Sequence, residues 1–266
     1  MKLSPIEKLK LRHRFWRYRY KSEVPSIRFV LDSGFAGQTL IDVGANYGVF
    51  SYYMSRAAGP DGKVIAFEAQ PELGEHLLRV KGSFGLDNLT IVNKGLSSSA
   101  GTLTLHRDKV GSGRASFDHV TEATTDAVAV PVVTLDDYLT SISHGPVAFI
   151  KCDVEGHELA VFKGAARTLH EHGPALLFEC HHAEAEDGEL FRYLAGQGYG
   201  GAFFYVRPED HRRYRTKGHG RYLPYTEFAD HPYPRPGVRH RNYVFVKGED
   251  RLRELLARHQ PSDTGA

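Results

Sequence analysis

Acidic and imidazole side chains stand at the ends of two apolar runs in the second half of the sequence. Asp153, Glu155 and His157 end one run, and Glu179 and His181 end the next. Because the carboxyl ends of parallel strands meet at one edge of a sheet, we expect these side chains to converge. Their oxygen and nitrogen atoms suit a hard divalent ion such as Mg²⁺, which lowers the pKa of a bound hydroxyl. We predict Asp153, Glu179 and His181 as its ligands.

A metal-free alternative uses an imidazole as the general base. His157 or His181 would take the proton directly, since histidine titrates near neutral pH. Glu155 and Glu158 would then orient the ring. For Glu158 a structural role is equally consistent, because an acid in the first turn of a helix is favoured by the helix dipole.

Lys151 lies inside the apolar run that precedes Asp153. An ammonium group that is buried without a partner is costly, so we expect a carboxylate beside it. Glu179 and an acid of the cofactor site are the candidate partners. In either case Lys151 marks the site, and we count it among the catalytic residues.

A glycine turn follows the first predicted strand. Asp42 lies in that strand, and Gly44, Asn46 and Gly48 belong to the turn that opens the next helix. Glycines let the backbone turn tightly and approach a ligand, while the helix N-terminus offers unpaired N–H groups. Glu68, twenty residues after Gly48, is placed to accept hydrogen bonds from ribose hydroxyls. The spacing is Gly-x-x-x-Gly rather than Gly-x-Gly-x-x-Gly, which favours a nucleoside cofactor over NAD.

Short apolar runs alternate with helical stretches from residue 39 onward, as is typical of βα units. We predict an α/β fold with a doubly wound, mainly parallel sheet. A β-rich interruption at 102–107 and 127–133 predicts a flap or an edge hairpin. The seven strands of the sheet are predicted at 39–43, 63–69, 89–96, 147–153, 175–181, 201–206 and 242–247.

Residues 39–259 are expected to form one domain, preceded by an N-terminal helical arm over residues 1–38 and followed by a disordered tail over 260–266. The segment 207–241 is rich in His, Arg, Tyr and Pro, and we predict an irregular loop that covers an acceptor. In residues 1–28 nine Lys and Arg face two acids. We expect the aromatic residues of this arm to pack on the core, with a cover over the active site or a basic partner surface as alternatives.

The overall charge gives no indication of a polyanionic partner. Lys and Arg number 34 against 32 Asp and Glu, a formal charge of +2, so we expect no membrane partner and regard nucleic acid as disfavoured. Cys152 and Cys180 lie in apolar runs, which indicates reduced thiols and a cytoplasmic location. The sequence has neither a signal-peptide pattern at its N-terminus nor an apolar run long enough for a membrane span.

Four motifs together resemble the FkbM-like family of class I methyltransferases, over about residues 39–181. The most specific is Lys-x-Asp-x-Glu-Gly-x-Glu at 151–158, followed by Lys-Gly-Ala at 163–165. The resemblance implies S-adenosylmethionine as cofactor and methyl transfer to oxygen, often on a sugar or a polyketide-type product. It also implies that Ser97 approaches the adenine ring. The other three motifs are 40–51, Phe67-Glu68-Ala69-Gln70-Pro71 and Val133-Thr134-Leu135-Asp136-Asp137-Tyr138.

We therefore expect an S-adenosylmethionine-dependent O-methyltransferase assisted by Mg²⁺. Its acceptor would be a sugar or oligosaccharide, a mannoside among the candidates, or another small natural product; a homodimer stays open. RNA methylation is the alternative that the two basic, aromatic segments suggest. A base amino-methyltransferase would carry an Asn/Asp-Pro-Pro-aromatic motif at 153–156. This sequence has Asp-Val-Glu-Gly there, which argues against methylation of a base. A binding module that has lost its chemistry is disfavoured because Asp42, Glu68, Asp153 and Glu179 are all present.

Overall fold

Strands that are buried along their whole length form the centre of the molecule. The computed structural model describes residues 2–118, 120, 124–181, 188–205, 220–227 and 240–258. Thr39–Val43 (β1) is buried at every position, as expected for a strand with helices on both faces. The other strands of this sheet are Lys63–Phe67 (β2), Leu89–Val92 (β3), Val147–Cys152 (β7), Ala175–His181 (β8), Tyr199–Tyr205 (β9), Arg221–Pro224 (β10) and His240–Lys247 (β11).

Within the described residues these strands form one sheet of eight, in the order β10-β9-β11-β8-β7-β1-β2-β3. The pairs from β8 through β3 are parallel, whereas β11 is antiparallel to both of its neighbours. The doubly wound α/β prediction is confirmed, and all seven predicted strands form.

Two local predictions of the strands are wrong. The predicted third strand at 89–96 splits, because Gly95–Leu96 (β4) leaves the main sheet and pairs with Asp126–Val133 (β6). The predicted loop 207–241 contains β10, an eighth strand antiparallel to β9. Tyr222 and Leu223 of β10 are buried although the surrounding stretch is polar, and pairing with β9 holds this short edge strand. Residues 206–219 and 228–239 lie outside the described residues.

A second sheet of three strands lies beside the first. Gly101–Arg107 (β5) pairs antiparallel with β6 along its whole length, and β4 pairs with β6 in parallel. The hairpin predicted from 102–107 and 127–133 is therefore confirmed.

The helices cover both faces of the main sheet. Because successive side chains of a strand point to opposite faces, Leu40 and Ile41 of β1 belong to two different apolar layers. None of the helices among the described residues is long and apolar enough to cross a bilayer. The helices are Pro5–Arg17 (α1), Val24–Asp32 (α2), Val49–Ala58 (α3), Pro71–Phe84 (α4), Leu135–Thr140 (α5), Glu158–Lys163 (α6), Ala166–His172 (α7), Glu189–Gly196 (α8) and Glu249–Arg258 (α9).

The N-terminal arm packs on the sheet domain. Ser4 and Glu7 form a capping box that starts α1, and a π-helical turn, Tyr18–Ser22, joins α1 to α2. Phe15 is buried, stacks on Tyr52 at 4.4 Å between ring centroids, and accepts a hydrogen bond at its carbonyl from Tyr53 Oη. The prediction that aromatic residues of the arm pack on the core is confirmed for Phe15.

Candidate active site

A cavity of about 240 Å³ lies at the carboxyl ends of β1, β2, β7 and β8. The N-terminal arm closes one side of it with Arg14, Tyr18 and Glu23. The connection between β5 and β6 contributes another wall. Residues from that connection and from the strand ends line the cavity together: Gly44, Ala45, Asn46, Tyr47, Glu68, Gln70, Ser112, Gly113, Phe117, Lys151, Asp153, Glu155 and Glu179.

The turn after β1 is shaped by close backbone packing. Gly44 has a φ of +72°, and a Cβ atom there would lie 2.0 Å from the carbonyl oxygen of Asp153. Gly48 has a φ of +79°, and its Cβ would lie 2.8 Å from Leu77. Both positions therefore require glycine, and Gly44 brings the turn directly against the end of β7.

Glu68 ties the end of β2 to this turn. One of its carboxylate oxygens accepts the backbone N–H of Asn46 at 2.7 Å, and the other accepts that of Gln70 at 2.9 Å. The side chain is 5% exposed, and burial raises the pKa of its carboxyl group. Each carboxylate oxygen has a second lone pair, so Glu68 can still accept hydrogen bonds from a ligand in the cavity.

Lys151 links two carboxylates at the end of β7. Its Nζ lies 3.0 Å from the carbonyl oxygen of Gly44, 3.4 Å from Asp153 Oδ2 and 3.8 Å from Asp42 Oδ1. Burial alone would lower the pKa of Lys151, but these two carboxylates outweigh it and raise the pKa. The prediction of a carboxylate beside Lys151 is confirmed, with Asp153 and Asp42 as the partners.

Asp42 is completely buried behind the cavity wall rather than on it. Its Oδ2 accepts a hydrogen bond from Ser51, and burial raises the pKa of its carboxyl group. Asp42 was predicted to bind the cofactor. Its place indicates instead that it holds Lys151 in position.

Three acids that line the cavity lie close enough to one another for their charges to interact. Burial, followed by the charges of Asp153, Glu23 and Glu155, raises the pKa of Glu179 to about 8. Burial and the charge of Asp153 raise the pKa of Glu23 to about 7. We call Glu23, Asp153 and Glu179 the acid cluster.

Glu23 is a site residue that the sequence analysis missed. Its Oε2 accepts hydrogen bonds from Asn242 Nδ2 at 2.7 Å and from Ser26 Oγ at 3.1 Å. Asn242 lies on β11 directly opposite Glu179 in the strand pairing, so it brings Glu23 to the acid cluster. The only signal in the sequence is that Glu23 is one of two acids in the strongly basic stretch 1–28.

His157 and Ser97 are not among the described residues that line the cavity, in contrast to their predicted roles. His157 Nδ1 lies 2.6 Å from Asp118 Oδ2, and its Nε2 lies 3.0 Å from Ser97 Oγ. Both ring nitrogens are therefore engaged, and the ring is buried. The structure does not place His157 as a base at the cavity, nor Ser97 beside an adenine ring within it.

Glu158 and Glu155 shape the loop after β7. Glu158 is buried and accepts the backbone N–H groups of Val154 and Gly156 at 2.9 and 3.1 Å. Glu155 has a φ of +53°, and its carbonyl accepts a hydrogen bond from Ser116 Oγ at 2.7 Å. The structural reading of Glu158 is confirmed, and Glu155 reaches the cavity.

The described donors do not fit a magnesium site. Among the side chains that the structure describes, no three His, Cys, Asp or Glu form a metal-binding group. Lys151 already supplies a positive charge beside Asp153, at 3.4 Å. The side chain of His181, the third predicted ligand and the other candidate base, lies outside the described residues.

The strand order, the antiparallel β11 between β8 and β9, and the Glu68 turn after β1 together define a class I methyltransferase fold. Residues 42–200, more than half of the chain, match the model of the methyltransferase FkbM domain. The chain belongs to the FkbM methyltransferase family.

Two curated relatives and one solved structure are similar to this chain. Hexuronic acid methyltransferase AglP of Haloferax volcanii is 30% identical over 159 residues, which are 58% of this chain and 61% of AglP. Methyltransferase sdnD of Sordaria araneosa is 43% identical over 67 residues, 25% of this chain and 26% of sdnD. The match thus spans less than two thirds of either relative. The structure of methyltransferase FkbM from Methylobacillus flagellatus KT shares the fold, with a TM-score of 0.50, 18% identity, and coverage of 79% of this chain and 44% of that one.

Proposed function

We propose that this chain is an S-adenosylmethionine-dependent O-methyltransferase. Its acceptor is a hydroxyl of a sugar or oligosaccharide, a mannoside among them, or of another small natural product. The observation that carries the proposal is that one cavity joins the Glu68 turn to the acid cluster. A nucleoside site and a group of proton acceptors are thereby held side by side.

The Glu68 turn suits the nucleoside part of the cofactor. Each carboxylate oxygen of Glu68 accepts one backbone N–H and has a second lone pair. Glu68 would therefore accept hydrogen bonds from the two ribose hydroxyls. S-adenosylmethionine supplies an electrophilic methyl group on a sulfonium. The carboxylates of the acid cluster favour a positively charged ligand beside them.

The acid cluster suits a hydroxyl acceptor. Carboxylates accept hydrogen bonds from neighbouring hydroxyls of a sugar, which fixes the oxygen in line for methyl transfer. Glu179 has a pKa of about 8, so its ionised form, which can take the hydroxyl proton, increases as the pH rises through about 8. A pKa close to the working pH is what a general base needs. The sugar acceptor gains support from AglP, a relative whose name specifies a hexuronic acid.

Magnesium has no part in the mechanism that we propose. Lys151 neutralises Asp153, and the proton acceptor is Glu179. We therefore expect methyl transfer to continue in a chelator. Loss of activity in the chelator, with recovery on adding Mg²⁺, would restore the sequence-based metal site.

The cofactor is tested first, by calorimetry with S-adenosylmethionine and with NAD. We expect binding of the first alone. Replacing Glu68 by Ala should weaken that binding by about 1–3 kcal/mol, because charged hydrogen bonds are lost. Glu75→Ala serves as the control, because Glu75 is exposed on α4 and is not among the described residues that line the cavity. Equal binding of NAD would contradict the cofactor assignment.

The acceptor is tested with radiolabelled S-adenosylmethionine and a panel of methyl glycosides, hexuronic acids and polyketide alcohols. Treatment of the product with alkali separates the two kinds of oxygen, because a methyl ether survives and a methyl ester is hydrolysed. We expect an alkali-stable label. A labile label would show that a carboxylate is methylated instead.

A further inference from the structure

The outer face of the N-terminal arm carries an exposed apolar stripe. Seven large apolar side chains are exposed in the part of the chain that the structure describes, and four of them lie on α1 and the π-helical turn. Ile6 and Leu9 are each 68% exposed, Trp16 is 46% exposed and Tyr20 is 50% exposed. These four residues, which we call the arm stripe, are spaced by three, seven and four positions.

This spacing places the arm stripe on one side of the helix. At about 100° per residue its four positions fall within an arc of roughly 80°, opposite the buried Leu11 and Phe15. At the aromatic end of the stripe the rings of Trp16 and Tyr20 are 6.1 Å apart, and the ring of His13 lies 5.9 Å from that of Trp16. The arm therefore has two apolar faces, of which one packs on the sheet domain and the other faces solvent.

Basic side chains flank the stripe on both sides. Lys10 and Arg17 project on one flank and Arg12 and Arg19 on the other, and all four are exposed. Lys21 lies over the ring of Trp16, with its Nζ 5.0 Å from the ring centroid. An apolar stripe with an aromatic end and cationic flanks is the pattern of a helix that lies in the interface of an anionic membrane.

Other partners fit this pattern less well. A second copy of the chain would bring two sets of like charges together along the stripe. A nucleic acid would use the cations and the two aromatic rings, but Ile6 and Leu9 offer no stacking surface and no hydrogen bond. Lipid uses all of these groups, because acyl chains take up the aliphatic residues, headgroup regions favour Trp and Tyr, and anionic headgroups attract Lys and Arg.

We infer that the arm stripe docks this protein on the surface of an anionic membrane. The inner side of the same arm lines the cavity with Arg14 and Tyr18. A docked membrane would thus lie about one helix diameter, roughly 10 Å, from the cavity. The prediction of no membrane partner depended on the overall charge of +2, which does not reveal a local group of basic residues.

The test is flotation of the full chain with vesicles of phosphatidylcholine alone and of phosphatidylcholine with about 30% phosphatidylserine. We expect binding to the anionic vesicles at about 0.1 M salt, and weaker binding at about 0.5 M salt. The variant Ile6→Ser/Leu9→Ser/Trp16→Ser should lose roughly tenfold or more of the binding, since its apolar area is removed. Val120→Ser removes an apolar side chain that is 65% exposed and does not belong to the arm, and this variant should bind as the wild type does.

Folding is checked separately by the unfolding temperature, which should be the same in all three proteins because every altered side chain is exposed. Three results would overturn the inference. The first is that the wild type stays with the buffer fraction, which rejects lipid binding. The second is a dimer in sedimentation that is lost in the triple variant, and the third is a stripe that is needed only for retention on single-stranded RNA. None of these measurements depends on methyl transfer.

Discussion

Glu179 lies at the end of β8, where burial and neighbouring acids raise the pKa of its carboxyl group to about 8. If Glu179 is the general base, only its ionised form is active. The kcat/KM should therefore rise with pH between about 7 and 9, as this carboxyl group loses its proton. Glu179→Gln should lower kcat by roughly 10²–10⁴-fold and remove the rise of kcat/KM with pH. Glu189 is exposed, so Glu189→Gln should keep the kcat and the pH dependence of the wild type. If Glu179→Gln keeps the pH profile of the wild type, Glu179 is not the general base.

Glu23 should make the stability of the fold depend on pH. The pKa of its carboxyl group is raised from 4.5 to about 7 in the folded state, so the folded state binds the proton more tightly than the unfolded state. The stabilising effect is complete below the lower value and is lost as the pH rises through about 7. Above that pH, Glu23 destabilises the fold.

Glu23→Gln keeps an oxygen that can accept the hydrogen bond from Asn242 and removes the charge. We expect the variant to be more stable than the wild type by about 1–3 kcal/mol at pH 8 and equal to it at about pH 4. Urea unfolding at both values measures this difference, with the exposed Glu249→Gln as the control. The same change at both pH values would mean that packing, not ionisation, determines the effect.

At the scale of elements, Gly164 ends α6 against the second sheet. A Cβ atom at this position would lie 2.1 Å from the carbonyl oxygen of Ser97, and that oxygen belongs to backbone that cannot rotate away. Gly164→Ala should therefore destabilise the fold by about 1–3 kcal/mol or more in chemical unfolding. Gly101→Ala is the matched control, because Gly101 has open space around its Cβ position. Equal stability of the two variants would show that α6 shifts freely.

The elements themselves could be predicted from the sequence where one pattern dominated. Mainly apolar runs such as 39–43 and 147–152 are typical of buried strands in a parallel sheet, so these strands could be predicted. Arg221–Pro224 could not be found, because its strand depends on pairing with β9 and not on its own composition.

The residues of the candidate site also differ in whether the sequence could predict them. Glu68 and Lys151 follow from local motifs, since a strand end fixes where each side chain lies. Glu23 does not, because its contact with Asn242 joins residues that are 219 positions apart. For His157, the chemistry of the side chain was suitable, but Asp118 and Ser97 engage both ring nitrogens, and His157 is not among the described residues that line the cavity.

At the scale of the whole molecule, the arm should unfold together with the sheet domain. Phe15 is 3% exposed and packs on Tyr52, so Phe15→Ala should lower the free energy of unfolding by about 3–5 kcal/mol and leave a single transition in calorimetry. The neighbouring Trp16 is 46% exposed, and Trp16→Ala should change stability by only about 0.5 kcal/mol. A separate early transition in Phe15→Ala would mean that the arm is an independent unit.

The hydrogen bond between Asn242 and Glu23 also determines when the cavity can be completed during synthesis. A ribosome releases residue 23 long before residue 242, so the growing polypeptide cannot complete the wall that Glu23 forms until β11 has emerged. Contacts between such distant positions carry a large loop-closure entropy and form late. A nascent chain that is interrupted before β11 would lack the finished chamber in which an acceptor could be held.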